Sequence, residues 1–366
     1  MESDLVQLVQ MTAAGNATGS HALLRRMARR YRTSTPALSR AIVEALREGP
    51  LRSAGSGIAL DQPVDSDSRL PLIRQESPII LAHEPILPPH LRAALEQVVE
   101  EYGMRDRLLD AGLAPTRTVL LVGAPGVGKT LAARWMAREV GLPLLTLDLS
   151  SVMSSFLGRT GANVRRVLDY ARATPSVLLL DELDAVAKRR DDATEVGELK
   201  RLVTVLLQEI DSWPEGALLL AATNHSDLLD PAVWRRFELV VHFPDPDEAA
   251  LVHGAATFLD DPDADQALLR VIAHLYAGET LSSLERDVLR ARRTAAIRGT
   301  SAVETLMGLA RSRFAQIPAA DRGRAAAALA ERTNLSQRAI NDLTGVSRDT
   351  IRKYARQTAD GGKGAE

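Results

Sequence analysis

Residues 123–130 read Gly123-Ala124-Pro125-Gly126-Val127-Gly128-Lys129-Thr130 and fit the pattern G-x-x-x-x-G-K-[ST]. The run Thr118–Val122 before them is apolar and β-branched, which predicts a buried strand. The run that begins at Leu131 predicts a helix. A glycine-rich loop between a strand and a helix is the setting in which this pattern cradles phosphates, because glycines let successive backbone N–H groups turn inward. The stretch therefore predicts a nucleoside triphosphate site.

The chemistry of this loop assigns expected roles to its last residues. Lys129 brings a positive charge to the β and γ phosphates, and the Thr130 hydroxyl is a ligand for Mg²⁺. The N-terminus of the following helix adds its positive dipole end. ATP and Mg²⁺ are the expected cofactors. We expect the nucleotide contacts to come from Gly123, Ala124, Pro125, Gly126, Val127, Gly128, Lys129, Thr130 and Leu131.

The composition limits the classes of function. The chain has 366 residues, a formal net charge of −2 and no cysteine. A basic surface for nucleic acid must therefore be local, and disulfides, thiol catalysis and cysteine-ligated zinc are excluded. No apolar run approaches the roughly 18 residues that a membrane span needs, and the N-terminus is acidic where a signal peptide is basic. We expect a cytoplasmic protein without a membrane segment.

Apolar strands alternate with helices through the middle of the chain. The strand candidates are 117–122, 143–148, 176–181, 216–222 and 238–243. This alternation predicts the α/β class, with a parallel sheet covered by helices and a ligand at the carboxyl ends of the strands. We predict a helical N-terminal domain over 1–50, a linker over 51–78, an α/β nucleotide-binding core over 79–245, a helical lid over 246–318, a helix-turn-helix over 319–357 and a disordered tail over 358–366.

Two later strands end in polar residues. The strand 176–181 ends in Asp181 and is followed by Glu182. Adjacent side chains of a strand point to opposite faces, so the two carboxylates can have different tasks. We expect Asp181 in the Mg²⁺ shell and Glu182 to polarise the attacking water. After the next strand, Asn224 is placed to hydrogen-bond the water and the γ-phosphate, although Thr-Asn also suits a turn.

Arg235 and Arg236 follow the run Leu229-Asp230-Pro231-Ala232-Val233-Trp234. They lie well beyond the nucleotide strand, where they would reach the γ-phosphate of a neighbouring subunit. An arginine supplied in trans stabilises the charge on the transferring phosphoryl group. The alternative is a surface ion pair.

The order GAPGVGKT, LLLDE, AATN, LDPAVWRRF resembles that of AAA+ ATPases over roughly residues 80–316. The most similar branch is the protein-remodelling one, which includes FtsH-like proteases, proteasomal ATPases and the spastin/katanin group. The resemblance implies a ring, expected to be a hexamer. It makes Lys129 and Thr130 the phosphate-loop residues, Asp181 and Glu182 the Walker B pair, Asn224 the first sensor, and Arg235 and Arg236 the arginine fingers. Many relatives have Arg-Pro-Gly-Arg-Phe here, so which arginine acts in trans stays open.

The same resemblance implies a substrate-gripping loop. Phe156, Leu157 and Gly158 occupy the position at which remodelling AAA+ proteins carry an aromatic–aliphatic–glycine loop that lines a central pore. The alternative is that Phe156 anchors a turn against the core. In the lid, the segment 278–285 resembles a degraded Gly-x-Ser-Gly-Ala-Asp-Leu segment, and Arg286 is a weak candidate for a second sensor.

Residues 336–354 predict a helix-turn-helix. Gly345 supplies the positive φ of the turn and Ser347 caps the second helix. Val346, Ile351 and Tyr354 would pack inward, which leaves Arg348, Thr350, Arg352 and Lys353 outside. The run resembles DNA-binding modules of transposases and resolvases, apart from Asn341, where a small residue is usual. Contact with double-stranded DNA is the prediction, and a protein-docking helical module is the alternative.

Two functions follow. In the first, the ring remodels or threads a protein, with a separate peptidase or effector as a partner, because the chain carries no His-Glu-x-x-His protease motif. In the second, the ring is a DNA-associated motor or loader of the mobile-element or phage-defence type, anchored by the helix-turn-helix.

Overall fold

The computed structural model describes residues 23, 27, 62–65, 69–150, 160–185, 196–214, 216–261, 264–332 and 335–361. The predicted pore loop at Phe156, Leu157 and Gly158 lies outside these residues. The described residues divide into two compact units. The described residues within 1–82, 93–122 and 130–241 form the α/β unit, and those within 83–92, 123–129 and 242–366 form the helical unit.

Strands and helices alternate as the sequence predicts. Strands β1 to β6 run over Arg74–Glu76, Thr118–Val122, Leu144–Asp148, Val177–Asp181, Leu218–Thr223 and Leu239–His242. Helices α1 to α13 run over Pro89–Gly103, Arg105–Asp110, Lys129–Val140, Thr160–Ala173, Val196–Asp211, Pro231–Trp234, Glu248–Leu259, Gln266–Leu275, Leu281–Arg298, Ala302–Gln316, Ala319–Arg332, Gln337–Thr344 and Arg348–Gly361. All the predicted strands are confirmed, with small differences at their ends.

The strands form one sheet in the order β1-β3-β4-β5-β2-β6. Strands β3, β4, β5 and β2 pair in parallel. The register sets Asp148 opposite Asp181 and Val122 opposite Thr223, so that neighbouring strands end together. The α/β class and the mostly parallel sheet are thus confirmed, and the polar residues after β4 and β5 meet at one edge.

Burial on both faces explains why these strands carry so few polar residues. Every residue of β2 and β5 is buried, as are the first four residues of β4. Leu178 and Leu219 pack in one cluster with Val167 of α4 and with Trp213, which is 1% exposed. A parallel sheet covered by helices has this composition because water reaches neither face.

A strand lies within the segment predicted as a linker, 51–78. Residues Arg74–Glu76 form β1, which pairs antiparallel with β3 at the end of the sheet. The Arg134 Nε of α3 also donates to both carboxylate oxygens of Glu76, to Oε2 at 2.9 Å and to Oε1 at 3.2 Å. The sequence Arg-Gln-Glu shows no apolar alternation. An edge strand needs only backbone pairing, so local sequence cannot reveal it.

The helical unit holds α7 to α13. Side chains cap the starts of many of these helices: Asp247, Asp265, Thr280, Ser301 and Ser336 each accept a backbone N–H of the first turn. Such caps satisfy N–H groups that have no partner within the helix. In the described part of the chain, no helix has the length and the apolar content that a membrane crossing requires.

The C-terminal helices share a core with the helices before them. Phe314 of α10, Leu329 of α11 and Leu343 of α12 pack with Val271 of α8 in one buried cluster. Helix α13 continues to Gly361, so the beginning of the predicted tail, 358–366, is helical. Its sequence contains no helix breaker before the paired glycines at 361 and 362, which explains the extension.

Candidate active site

The predicted phosphate loop joins β2 to α3. Gly126 and Gly128 adopt φ values of 81° and 102°, which L-residues with a side chain rarely take. The Lys129 ammonium donates hydrogen bonds to the carbonyl oxygens of Gly123 at 2.7 Å and Ala124 at 2.8 Å. Lys129 is 6% exposed. The loop backbone therefore has the turns that the phosphate-binding prediction requires. Its carbonyl groups keep the charged end of Lys129 close to the loop.

Thr130 and Asp181 lie together at the carboxyl edge of the sheet. The Thr130 hydroxyl donates to Asp181 Oδ2 at 3.3 Å. A hydroxyl and one carboxylate fit Mg²⁺, which keeps several waters and takes its remaining ligands from substrate phosphates. Among the described residues, no group of three or more His, Cys, Asp or Glu side chains could hold a metal. The hydrogen bond between Thr130 and Asp181 therefore brings the two predicted metal ligands together.

Glu182 has a strained backbone. Its φ is 55°, in the left-handed region that non-glycine residues seldom occupy. Its N–H donates to Asp181 Oδ1 at 3.0 Å, and its side chain is exposed. Strain of this kind persists only where the surroundings impose it, and it clusters at functional sites. The left-handed turn takes the chain out of β4 directly after Asp181.

Asp184 is a site residue that the sequence reasoning missed. It is 4% exposed and accepts hydrogen bonds from the Thr223 hydroxyl at 3.3 Å and from the Asn224 N–H at 3.2 Å. The Leu183 N–H donates to the Ala222 carbonyl at 2.9 Å. The segment after β4 is therefore tied to the end of β5, and Asp184 positions Asn224. A third acid within four residues of Asp181 was the available signal.

Arg235 and Arg236 line a cavity of about 340 Å³ together with Arg117, Asp211 and Glu238. Arg236 forms an ion pair with Asp211 of α5. Arg117 donates to Glu238 through its Nε at 2.8 Å and its backbone N–H at 2.7 Å. Within the described part of the chain, the exposed Arg235 side chain has no hydrogen bond or ion pair. Thr130, Asp181 and Glu182 do not line this cavity. Among the described residues, the surface ion pair that the sequence left open is therefore found for Arg236 and not for Arg235.

The C-terminal residues predicted to meet DNA lie on the helical unit. Gly345 has a φ of 70°, and Ser347 Oγ accepts the Thr350 N–H at 3.3 Å, as predicted. Arg348, Arg352 and Lys353 are exposed. Thr350 is half-buried and its hydroxyl lies 2.8 Å from Ser347 Oγ, so it serves the cap rather than the open surface.

Asn341 also has a local role. Its Nδ2 donates to the Val346 carbonyl at 2.8 Å, across the turn at Gly345. This explains why an amide stands where similar modules have a small residue. Arg286, the candidate second sensor, is exposed on α9 and makes no hydrogen bond or ion pair with any described residue.

Residues 119–245 match the sequence model of the ATPase family associated with various cellular activities, AAA. They form an AAA ATPase domain. The matched segment includes the phosphate loop, the acids after β4, Asn224 and both arginines.

Curated proteins are similar over a longer part of the chain. An uncharacterized AAA family ATPase, y4kL, of Sinorhizobium fredii is 37% identical over 216 residues, which are 59% of this chain and 65% of that protein. The ATP-dependent zinc metalloprotease FtsH of Acidothermus cellulolyticus is 34% identical over 54% of this chain and 31% of its own length. FtsH 2 of Symbiobacterium thermophilum is 34% identical over 61% of this chain and 40% of its own length. The chain thus spans less than two thirds of the relatives that it matches.

Proposed function

We propose that the protein hydrolyses ATP with Mg²⁺ at the carboxyl edge of its sheet. The observation that carries this proposal is the contact of the Thr130 hydroxyl with Asp181, directly before the strained Glu182. Mg²⁺ bound by Thr130 and Asp181 would neutralise charge on the phosphates. Lys129 binds the β and γ phosphates, and the N–H groups of the loop turn toward them.

Glu182 is the proposed base of the reaction. Its carboxylate is exposed and accepts the proton of a water molecule that attacks the γ-phosphate. Asp181 is engaged with Thr130 and with the Glu182 N–H. The two adjacent acids therefore have different tasks, one at the metal and one at the water. Asn224, which Asp184 holds through its backbone, orients that water.

Arg235 is the proposed finger that acts on the nucleotide of a neighbouring copy. The cavity contains three arginines and two acids, and Glu238 and Asp211 already pair with Arg117 and Arg236. The remaining charge belongs to Arg235. A guanidinium that has no partner among the described residues can bind phosphate oxygens without breaking an ion pair there. Catalysis shared between copies requires an assembly of copies, for which we propose a hexameric ring.

The test of the hydrolytic site is Glu182→Gln. The variant should lose at least about 100-fold in kcat, because a general base contributes roughly 10²–10⁴-fold. It should keep its affinity for ATP, since the amide is isosteric and the phosphate loop is unchanged. Steady-state phosphate release and binding of a fluorescent ATP analogue measure the two quantities. Wild-type turnover in this variant would remove Glu182 from the mechanism.

We propose that hydrolysis drives remodelling or threading of a protein substrate for a separate peptidase or effector. The similarity to proteins named ATP-dependent metalloproteases supports this process. The predicted gripping residue is Phe156. An unfolded protein should stimulate the ATPase, and Phe156→Ala should abolish that stimulation while basal turnover remains. Stimulation that survives Phe156→Ala would refute threading through a pore.

Attachment to double-stranded DNA is the second candidate function, and the geometry of α11 to α13 favours it. Val346 and Ile351 are buried between these helices, while Arg348, Arg352 and Lys353 are exposed on one helix after a capped left-handed turn. In helix-turn-helix proteins the second helix of such a pair enters the major groove. The arginines and the lysine are placed to contact phosphates.

The test compares two double variants that remove the same charge. Arg352→Ala with Lys353→Ala should weaken duplex binding about tenfold or more at low salt and reduce its salt dependence, because each phosphate contact releases counterions. Arg286→Ala with Arg290→Ala, exposed residues of α9, is the control and should retain binding. Equal losses in both variants would indicate a non-specific charge effect. No duplex binding by the wild type would leave protein docking as the function of these helices.

A further inference from the structure

The start of α9 lies against the phosphate loop within the helical unit. A Cβ built at Gly126 would be 2.8 Å from Thr280 Oγ1 and 3.2 Å from Ser282 Cβ. The Ser282 N–H donates to the Gly126 carbonyl at 3.3 Å. Thr280 also caps α9, since its Oγ1 accepts the Ser283 N–H at 3.3 Å. The position of the middle of the loop therefore depends on the position of residues 280–282.

Arg313 of α10 holds the segment on both sides of that contact. Its Nη1 donates to Glu279 Oε1 at 2.7 Å, and its Nη2 donates to Asp287 Oδ2 at 2.8 Å. Glu279 directly precedes Thr280, and Asp287 lies in the second turn of α9. One planar guanidinium thus ties the loop before α9 to the helix itself, which a single-point cation cannot do as well.

Tyr276 completes the cluster. The Arg313 guanidinium carbon lies 4.2 Å from the centroid of the Tyr276 ring. The Tyr276 hydroxyl donates to Asp287 Oδ2 at 2.6 Å. The backbone carbonyl of Tyr276 accepts the Glu279 N–H at 2.8 Å. Burial, and then the hydrogen bond to Asp287, raise the pKa of Tyr276, so the phenol keeps its proton and remains a donor. Stacking and hydrogen bonds together fix the guanidinium plane.

The residue that follows Arg313 is packed in a buried core. The next residue, Phe314, is 1% exposed and packs with Leu329 and Leu343 in the core that α10 shares with the C-terminal helices. The side chains of Arg313, Glu279 and Asp287 are 32%, 39% and 25% exposed. Ion pairs at this depth are less screened than surface pairs, so their loss should release the segment.

We propose that Arg313 is a positioning residue for nucleotide binding: it sets the phosphate loop through residues 276–282 without touching the nucleotide. The inference rests on the proposed ATP site. Phosphate affinity depends on several backbone N–H groups that point to one place, so a loop without its support binds more weakly. Once the nucleotide is bound, the geometry at Glu182 is unchanged. The expected effect is therefore on KM and Kd, with kcat retained.

The experiment compares Arg313→Ala with Arg292→Ala in the full chain. Arg292 is the matched control because it also connects two helices of the helical unit, through the Phe258 carbonyl at 2.9 Å and Asp260 at 3.0 Å, and neither of these partners lies in residues 276–283. Arg313→Ala should raise the KM for ATP and the Kd for a fluorescent ADP analogue about tenfold, which corresponds to about 1.4 kcal/mol. Its kcat should change less than twofold. Arg292→Ala should leave both constants within twofold.

Conservative variants separate positioning from folding. Arg313→Lys keeps the charge but makes one contact at a time, so its Kd should lie between those of the wild type and Arg313→Ala. Glu279→Gln should weaken ADP binding in the same direction with a native melting temperature, and it provides the test if Arg313→Ala does not fold. Equal Kd changes in Arg313→Ala and Arg292→Ala, or none in Arg313→Ala and Glu279→Gln, would overturn the inference. The ADP measurement needs no turnover, so it remains decisive even if the proposed hydrolysis fails.

Discussion

The α/β unit and the helical unit use some of their polar side chains in opposite ways. In the α/β unit, Glu182 is exposed on a strained backbone and Arg235 has no partner among the described residues. In the helical unit, Arg292 and Arg313 bridge neighbouring helices through acids, and Asp265 caps a helix. The first arrangement leaves charge available for a ligand, and the second uses charge to hold helices together.

This difference predicts where a substitution acts. A residue that serves a ligand contributes little to folding, because its interactions form only when the ligand is bound. A residue that satisfies a helix end or a packed contact contributes to the free energy of unfolding. Variants of Glu182 and Arg235 should therefore change turnover with a native melting temperature. Variants at the helix caps and the packed contacts of the helical unit should change the melting temperature first.

The largest expected effect is that of Arg235→Ala. It should lower kcat about 10³-fold, because an arginine finger stabilises the transferring phosphoryl group by this order. Arg236→Ala should lower kcat much less, since Arg236 is engaged with Asp211. Both variants should melt close to the wild type, as exposed ion pairs contribute at most about 1 kcal/mol. Steady-state ATPase assays and thermal melts provide the comparison.

Mixing two inactive variants tests whether Arg235 acts in trans. Copies with Arg235→Ala retain Glu182, and copies with Glu182→Gln retain Arg235. If the site is shared between copies, a mixed assembly contains intact sites and regains part of the activity. A mixture as inactive as its components would place Arg235 in the site of its own chain.

Asp184→Ala should have the next largest effect on turnover. It leaves the Thr223 hydroxyl and the Asn224 N–H without their acceptor, at a cost of about 1–3 kcal/mol. If the loss of these hydrogen bonds displaces Asn224, kcat should drop about 10- to 100-fold. Asp184→Asn keeps an acceptor oxygen and should retain most of the activity. A loss of stability without a loss of kcat would show that Asp184 serves folding, which would break the contrast between the two regions.

In the helical unit, Gly323→Ala should destabilise the fold. An added Cβ would lie 2.5 Å from the Tyr354 ring, so α11 and α13 would have to separate. Overpacking of this kind costs about 1–3 kcal/mol in the free energy of unfolding. Gly308→Ala on α10 is the control, because its Cβ would meet nothing within 4 Å. It should stabilise by about 0.5–1 kcal/mol through helix propensity. Denaturant unfolding measures both, and a loss of stability in both variants would contradict the packing argument.

The smallest expected effect is that of a helix cap. Asp265→Ala removes the acceptor of the Ala267 N–H at the start of α8 and should cost about 1 kcal/mol. Asp265→Asn retains a capping oxygen and should melt near the wild type. ATP turnover should not change in either variant. A change in turnover would show that Asp265 affects catalysis as well as folding.

The local sequence predicted the strands that carry the site, and it failed where pairing was remote. β2, β4 and β5 are continuous apolar runs, which water-free faces on a parallel sheet require. β1 escaped prediction, because Arg-Gln-Glu becomes a strand only by pairing with β3. The role of Asp184 was equally hidden, since its partners lie about 40 residues further along the chain.

The sequence by itself determined the phosphate loop, the order of acids, amide and arginines after it, and the glycine turn at Gly345, because each depends on neighbouring residues. Only the tertiary structure decided which arginine is available. Arg235 and Arg236 are identical in type and adjacent in sequence, but Asp211, 25 residues away, pairs with Arg236. It also decided that Arg313 of α10 contacts the segment before α9, and that the start of α9 lies against Gly126. Contacts between distant parts of the chain set both outcomes, and local patterns carry no information about such contacts.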